Sequence, residues 1–146
     1  MKMRTQTLQF FVALFFAATL SVPSVHATTY TVQDTGDGAA NAANCPGSGC
    51  RLRDALAKVV DGDMIDFSVT TPATITLNSG QLEVSKSIMI NGPGANLLTV
   101  DANQASRVFL IDAGTTVTIS GLTITNGSEQ FGGGIDNQGA LTIDSQ

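Results

Sequence analysis

The strongest constraint on the fold is a period-two alternation of apolar residues in very short segments from Met64 onward. The alternating pairs are Ile65/Phe67, Ile75/Leu77, Leu82/Val84, Ile88/Ile90, Val108/Leu110, Val117/Ile119, Leu122/Ile124 and Leu141/Ile143. Between them come Gly, Asn, Asp and Ser residues that are typical of turns. Because successive side chains of a strand point to opposite faces, this pattern predicts many short strands, each with one buried face.

Short strands with dense turns fit either an antiparallel sandwich or a solenoid. Some strands are separated by only a residue or two, as at Ser120-Gly121, which suits a corner between two faces of a coil better than a hairpin. Similar units also recur about 20 residues apart, residues 88–90 matching 108–110 and residues 122–124 matching 141–143. We therefore predict an all-β, right-handed parallel β-helix of the pectin-lyase-like type, with the sandwich as the alternative.

The first residues predict export. Lys2 and Arg4 give a positive start, residues 10–20 form an uncharged apolar run, and Val25-His26-Ala27 places small or modest side chains before Thr28. The run is shorter than the roughly 20 residues that a membrane helix needs. We therefore predict a signal peptide over residues 1–27, cleaved between Ala27 and Thr28, and no membrane span in the mature chain. The expected location is the cell surface, the outer membrane or the extracellular space.

Cleavage makes the chain more acidic. Removal of Lys2 and Arg4 leaves five of the 7 basic residues against all 12 acidic ones, a net charge of −7. Such a chain repels phosphate groups, which argues against nucleic acid and anionic membranes as partners. The only histidine, His26, is also removed. A Ser-His-Asp triad, a Cys-His dyad and a histidine zinc site are thereby excluded from the mature chain.

The two cysteines, Cys45 and Cys50, predict a disulfide, because a close, even pair in an exported chain is usually oxidised. Gly47 and Gly49 give the short loop the freedom it needs. A bridge this local is expected to stabilise by about 2 kcal/mol. Free thiols are the alternative. A metal site would need a further soft ligand, so we expect neither a metal nor a cofactor here.

The residues before the alternating segments predict a different structure. Residues 28–33 read as a short strand and residues 34–49 as a loop. Residues 51–60 predict a helix with one apolar face, formed by Leu52, Ala55, Leu56 and Val59. A solenoid leaves its first coil open, and such a face would cover it. We therefore divide the mature chain into residues 28–63, with strand, disulfide loop and capping helix, and an incomplete set of coils over residues 64–146.

Several stretches resemble a known family. Cys50-Arg51-Leu52-Arg53-Asp54-Ala55, followed by Gly62-Asp63-Met64-Ile65, resembles the C-S-L-R-E/D-A start of exported bacterial β-helix proteins. Residues 92–100 and 121–127 are similar to coils of these proteins, and residues 132–143 to the G-G-A/G-I repeats of polymorphic outer-membrane proteins and autotransporter passengers. The resemblance implies a capped β-helix at a cell surface. Such relatives carry many more coils, so we expect this chain to be a fragment that self-associates through an open coil end.

Three short motifs offer weak sites. Asp34-Thr35-Gly36 matches the aspartic-protease motif, but no second copy supplies the paired carboxylate that the mechanism needs. A structural calcium ion could take oxygen ligands from several acids, although the known calcium-loop patterns are absent. These acids are Asp34, Asp37, Asp61, Asp63 and Asp66. Asn126-Gly127-Ser128 matches a glycosylation acceptor and is interpreted as a turn.

Enzymes that cleave polysaccharides also use parallel β-helices, and they need carboxylates and an arginine on one face of the coils. Arg107 with Asp101 and Asp112 is the candidate cluster for a carbohydrate site. The paired-acid runs of polygalacturonases are absent, and each acid lies beside turn residues. We therefore expect a structural or adhesive β-helix segment, without catalysis by this chain, that binds surface glycans or proteins. The alternative is a polysaccharide lyase or glycoside hydrolase whose active site lies on further coils.

Overall fold

The computed structural model describes residues 26–145, so positions 1–25 of the predicted signal peptide lie outside the described residues. The described part contains one α-helix, α1 (Leu52–Lys58), and a 3₁₀ turn at Ala42–Asn44. None of its helices is long and apolar enough to cross a membrane. Its strands are β1 (Thr29–Val32), β2 (Met64–Phe67), β3 (Ala73–Thr76), β4 (Leu82–Val84), β5 (Met89–Asn91), β6 (Leu98–Asp101), β7 (Phe109–Ile111), β8 (Thr116–Ser120), β9 (Thr123–Thr125), β10 (Ile135–Asn137) and β11 (Ala140–Asp144).

The strands form three sheets that the chain visits in turn. The first sheet has the order β1-β2-β5-β8-β11, the second β3-β6-β9 and the third β4-β7-β10. Every pair of neighbouring strands in the described part is parallel. A chain that adds one parallel strand to each of three sheets before returning to the first is a parallel β-helix. The predicted fold class is confirmed, and the antiparallel sandwich is wrong.

Inward side chains of successive coils stack in columns. Ile65, Ile90 and Ile119 are in register across β2, β5 and β8, and none is more than 1% exposed. Leu82 and Phe109 stack in the same way in the third sheet, both at 0% exposure. Burial of each such side chain stabilises by about 1.5–3 kcal/mol. The columns explain why each strand needs only two or three alternating apolar residues.

The predicted inward pair Val108/Leu110 is wrong in register. Strand β7 begins at Phe109, and Phe109 and Ile111 face the core while Leu110 is half-buried on the outside. Val108 is buried as well, before the strand begins. Because residues 108–111 are all apolar, the sequence shows no alternation there that could fix which residues face inward.

The predicted repeat of about 20 residues is also wrong. Register pairs place Ile90 25 residues after Ile65, Ile119 29 residues after Ile90, and Ile124 24 residues after Val100. The segments matched in the sequence belong to different sheets, because β5 pairs with β8 whereas β7 pairs with β4 and β10. All three sheets have the same alternation of apolar residues. A similar segment further along the chain can therefore belong either to the next sheet of the same coil or to the same sheet of the next coil.

Helix α1 covers the N-terminal end of the coils, as predicted. Leu52, Ala55 and Val59 are buried and Leu56 is partly buried, and the helix contacts β1, β2 and β4. It is shorter than the predicted 51–60, because Val59 already has extended backbone angles. Gly62, with a positive φ of 91°, forms the turn that leads into β2.

Candidate functional site

The predicted disulfide is present. Cys45 and Cys50 are bonded, with their Cα atoms 4.8 Å apart, and both residues are buried. The carbonyl oxygen of Cys50 accepts hydrogen bonds from the backbone N–H groups of Gln33 and Asp34, at 2.9 Å and 3.2 Å. The bridge therefore fixes the loop against the end of β1, directly before the capping helix.

Asp54, on the capping helix, binds the disulfide loop through its buried carboxylate. Its carboxylate accepts from Arg51 Nε at 2.7 Å, from Asn44 Nδ2 at 2.9 Å and from the Asn41 backbone N–H at 2.7 Å. Asp54 is 0% exposed. Burial alone would raise the pKa of this carboxyl, but the hydrogen bonds from Arg51, Asn44 and the backbone outweigh it and lower the pKa to about 2. Asp54 is therefore an ionised structural centre of the cap.

A second ion pair, which is partly buried, joins the loop to the coils. Arg53 donates to Asp37 Oδ1 and Oδ2 at 2.7 Å and 3.1 Å, and to the carbonyl oxygens of Gly80 and Gln81 at 2.6 Å and 2.7 Å. The Asp37 carboxylate also accepts from the backbone N–H groups of Asn78 and Ser79. Burial opposes ionisation of Asp37, yet these donors hold its pKa below the ordinary value. Nothing in the sequence indicates this long-range pair beyond the two charges themselves.

The candidate calcium ligands each accept hydrogen bonds from backbone N–H groups. Asp34 accepts from the N–H of Gly36, Asp61 from Ser87 and Asp66 from Phe67, each at 2.8 Å. Asp63 accepts from the N–H groups of Thr28 and Val60. Within residues 26–145 no group of three or more His, Cys, Asp or Glu side chains is placed to hold a metal ion. Asp34 of the protease-like motif thus closes a local turn.

The candidate carbohydrate cluster is not assembled as predicted. Arg107 Nη1 donates to Asp136 Oδ2 at 2.7 Å, so its ion pair is with the next coil and not with Asp101 or Asp112. Asp101 accepts from the Asn103 N–H at 2.7 Å and from Asn126 Nδ2 at 2.9 Å. Asp112 lies after β7, where its carbonyl oxygen accepts from Thr115 Oγ1. The Asp101 carboxylate therefore closes a turn, which is the alternative that the sequence already favoured, and Asp112 takes part in its turn through its backbone carbonyl.

The glycosylation-like motif begins directly after β9. Asn126 has a positive φ of 54° and follows Thr125, the last residue of that strand. A non-glycine residue with this φ is typical of a turn, and asparagine tolerates it best. The conformation of Asn126 therefore agrees with the interpretation of residues 126–128 as a turn.

The outer face of the second sheet is a ladder of hydroxyl groups, which we call the threonine face. Its register pairs place Thr74, Thr99 and Thr123 in one row, and Thr76, Asp101 and Thr125 in the next. Strands in a sheet lie about 4.8 Å apart, so the hydroxyl groups recur at that spacing. Thr123 Oγ1 donates to the carbonyl oxygen of Ala95 at 2.6 Å. Chemically, the threonine hydroxyls and the Asp101 carboxylate of this face can form hydrogen bonds with neutral polar groups.

The arginine side chains of the described part form ion pairs within the fold. Arg51, Arg53 and Arg107 each form an ion pair with an aspartate. An arginine held in this way is not available to stabilise charge on a substrate. The three arginines therefore stabilise the fold through these ion pairs.

Comparison of the chain with protein-family models, with curated proteins and with solved structures found no match. The family resemblance of residues 50–67 and 132–143 therefore stays a prediction. A functional assignment for this chain accordingly rests on the geometry of the coils.

Proposed function

We propose that this chain is an exported, surface-associated or secreted β-helix segment with a structural and adhesive role, whose partners are surface glycans. The observation that carries the proposal is the threonine face, a regular polar surface on a rigid stack of parallel strands. Hydroxyl groups at a fixed spacing can exchange hydrogen bonds with the hydroxyl groups of a polysaccharide. The acidic balance of the chain favours neutral glycans over anionic ones.

The two ends of the β-helix support a structural role. Helix α1 covers the N-terminal end, whereas the last coil leaves apolar side chains accessible at the other end. Phe131 is 75% exposed and Ile143 62% exposed, and Ile135 and Leu141 are only partly buried. Another coil, of the same protein or of a second copy, can stack on these side chains by the same parallel pairing.

The adhesive role is tested by removing hydroxyl groups while keeping strand shape. A variant with Thr74→Val, Thr99→Val and Thr125→Val replaces three hydroxyls of the threonine face by methyl groups in residues that favour strands. We expect its binding to glycan-coated beads or cells to fall at least about tenfold, since several hydrogen bonds of about 1 kcal/mol each are lost. The readout is retention of the purified chain on neutral polysaccharide.

The matched control carries the same three changes on another sheet. Thr29→Val, Thr118→Val and Thr142→Val lie on the outer face of the first sheet, in strands β1, β8 and β11. We expect this variant to bind like the unmodified chain. Equal loss in both variants, or no binding by the unmodified chain to any glycan tested, would reject the threonine face as an adhesive surface. Binding that survives removal of glycans from the cells would indicate a protein partner.

A further inference from the structure

Asp63 is a buried carboxylate that reaches the first residue of the predicted mature chain. The residue is 2% exposed. Its Oδ1 accepts from the backbone nitrogen of Thr28 at 2.8 Å, and its Oδ2 from the backbone nitrogen of Val60 at 2.9 Å. None of the ion pairs within residues 26–145 includes Asp63. A buried carboxylate is thus held by two neutral amide donors, although a buried charge is most stable beside an opposite charge.

The position of Thr28 is fixed by the sheet. Its carbonyl oxygen accepts from the N–H of Met64 at 2.9 Å, and the next residue, Thr29, is in register with Met64 in β2. No described strand or helix precedes Thr29. Removal of residues 1–27 would therefore leave every described strand in place, with the nitrogen of Thr28 still against Asp63.

We propose that Asp63 is the binding group for the α-ammonium of Thr28 that is created when residues 1–27 are removed. Cleavage by a signal peptidase adds water across the Ala27–Thr28 peptide bond. Ala27 leaves with a carboxylate, and the nitrogen of Thr28 gains the protons that make it an ammonium. The amide hydrogen bond to Asp63 thereby becomes an ion pair. This inference rests on export, which is part of the proposed function.

The chemistry of the pair favours the processed chain. An ammonium has three donors where the amide has one, and hydrogen bonds between charged groups are about twice as strong as neutral ones. The groove around Asp63 is formed by residues such as Ala27, Met64, Ser87 and Met89, and Asp63 is the only titratable side chain among its lining residues. No lining side chain therefore carries a positive charge that would compete with the ammonium for the carboxylate.

The experiment compares two mature chains that differ by one residue. One begins at Thr28, and the other retains Ala27, which displaces the ammonium by about 3.8 Å and leaves an amide at Thr28. Each is made with Asp63 intact and with Asp63→Asn, and thermal unfolding is followed by circular dichroism. We expect the chain that begins at Thr28 to unfold about 4 °C higher than its longer partner, and the difference to disappear with Asp63→Asn.

Asp61→Asn is the matched control, because Asp61 lies in the same turn and accepts from the N–H of Ser87 instead of Thr28. With Asp61→Asn, the chain that begins at Thr28 should still unfold at a higher temperature than the chain that retains Ala27. A difference that persists in Asp63→Asn, or no difference with Asp63 intact, overturns the proposal.

A second measurement needs no variant that could fail to fold. The α-amine of Thr28 should react with an acylating reagent at neutral pH at least about tenfold more slowly than the amine of the chain that retains Ala27, since a protonated, paired amine is a poor nucleophile. Equal rates overturn the proposal. The mass of the exported chain then shows whether processing produces this terminus. A start other than Thr28 refutes the maturation step without bearing on adhesion, which the threonine-face variants test separately.

Discussion

Arg53 and Asp37 form a two-point ion pair, with Nε to Oδ1 at 2.7 Å and Nη2 to Oδ2 at 3.1 Å, between the capping helix and the loop before it. The same arginine reaches the carbonyl oxygens of Gly80 and Gln81, and the same aspartate accepts from the turn after β3. One pair therefore connects the loop, the helix and the first coil. Its side chains are only 13% and 2% exposed.

Breaking the Arg53–Asp37 pair should lower the free energy of unfolding more than breaking the Arg107–Asp136 pair, which makes fewer hydrogen bonds. For Arg53→Ala we expect a loss of about 1.5–3 kcal/mol in the free energy of unfolding, because the partly buried Asp37 would lose the hydrogen bonds from its charged partner. Arg107→Ala is the control, since Arg107 contacts Asp136 through Nη1 alone and the pair is 18% and 27% exposed, so we expect a smaller loss of about 1 kcal/mol. Urea unfolding of both variants measures the difference. Equal losses would contradict the structural role of the Arg53–Asp37 pair.

Acid should weaken the cap at an unusually low pH. The pKa of Asp54 is lowered to about 2 in the folded chain, whereas an unfolded aspartate titrates near 3.9. Since the folded pKa is the lower one, the stabilisation of about 2 kcal/mol is complete above pH 4 and is lost as the pH falls through 2. The lowered pKa of Asp37 acts in the same direction. Urea unfolding between pH 5 and pH 2 measures this loss.

Asp54→Asn is the variant that isolates this contribution. It should be less stable at neutral pH, because the amide cannot replace the charge that Arg51 contacts. Its stability should also change less between pH 5 and pH 2 than that of the unmodified chain. If the free energy of unfolding of Asp54→Asn depends on pH as strongly as that of the unmodified chain, the titrating group is not Asp54.

The sequence predicts the kind of fold better than its long-range contacts. Alternating pairs such as Ile65/Phe67 are local signals, and so are the apolar face of α1 and the spacing of Cys45 and Cys50. Coil length is not local, because corners of different length separate equivalent strands. The bonds from Arg53 to Asp37 and from Thr28 to Asp63 span 16 and 35 residues and depend on how the chain winds. Charge and composition alone do not determine such partners.

A corner between coils should be intolerant of any side chain. Gly121 has a positive φ of 60°, and a Cβ built on it would meet the carbonyl oxygen of Gly92 in the preceding coil. Gly121→Ala should therefore incur a conformational penalty of about 1–2 kcal/mol and a further steric cost. Gly114→Ala is the matched control, because Gly114 has a φ of 81° but nothing within 4 Å of its Cβ position. Chemical unfolding should show a clearly larger loss for Gly121→Ala, and equal losses would contradict close packing at this corner.

In a chain of residues 28–146, the last coil should drive self-association, whereas the end that α1 covers should not. Ile143 in β11 is 62% exposed beside the partly buried Leu141, and Val60 after the capping helix is exposed to a similar degree, 54%. Because an uncovered strand edge can pair with a second chain, we expect Ile143→Lys to lower the average mass measured by light scattering at high protein concentration. Val60→Lys adds the same charge to the opposite end and should leave the mass unchanged. If both variants lower the mass equally, the last coil does not control association. Net charge alone would raise the mass of both variants, because each lysine reduces the negative charge by which copies of this acidic chain repel one another.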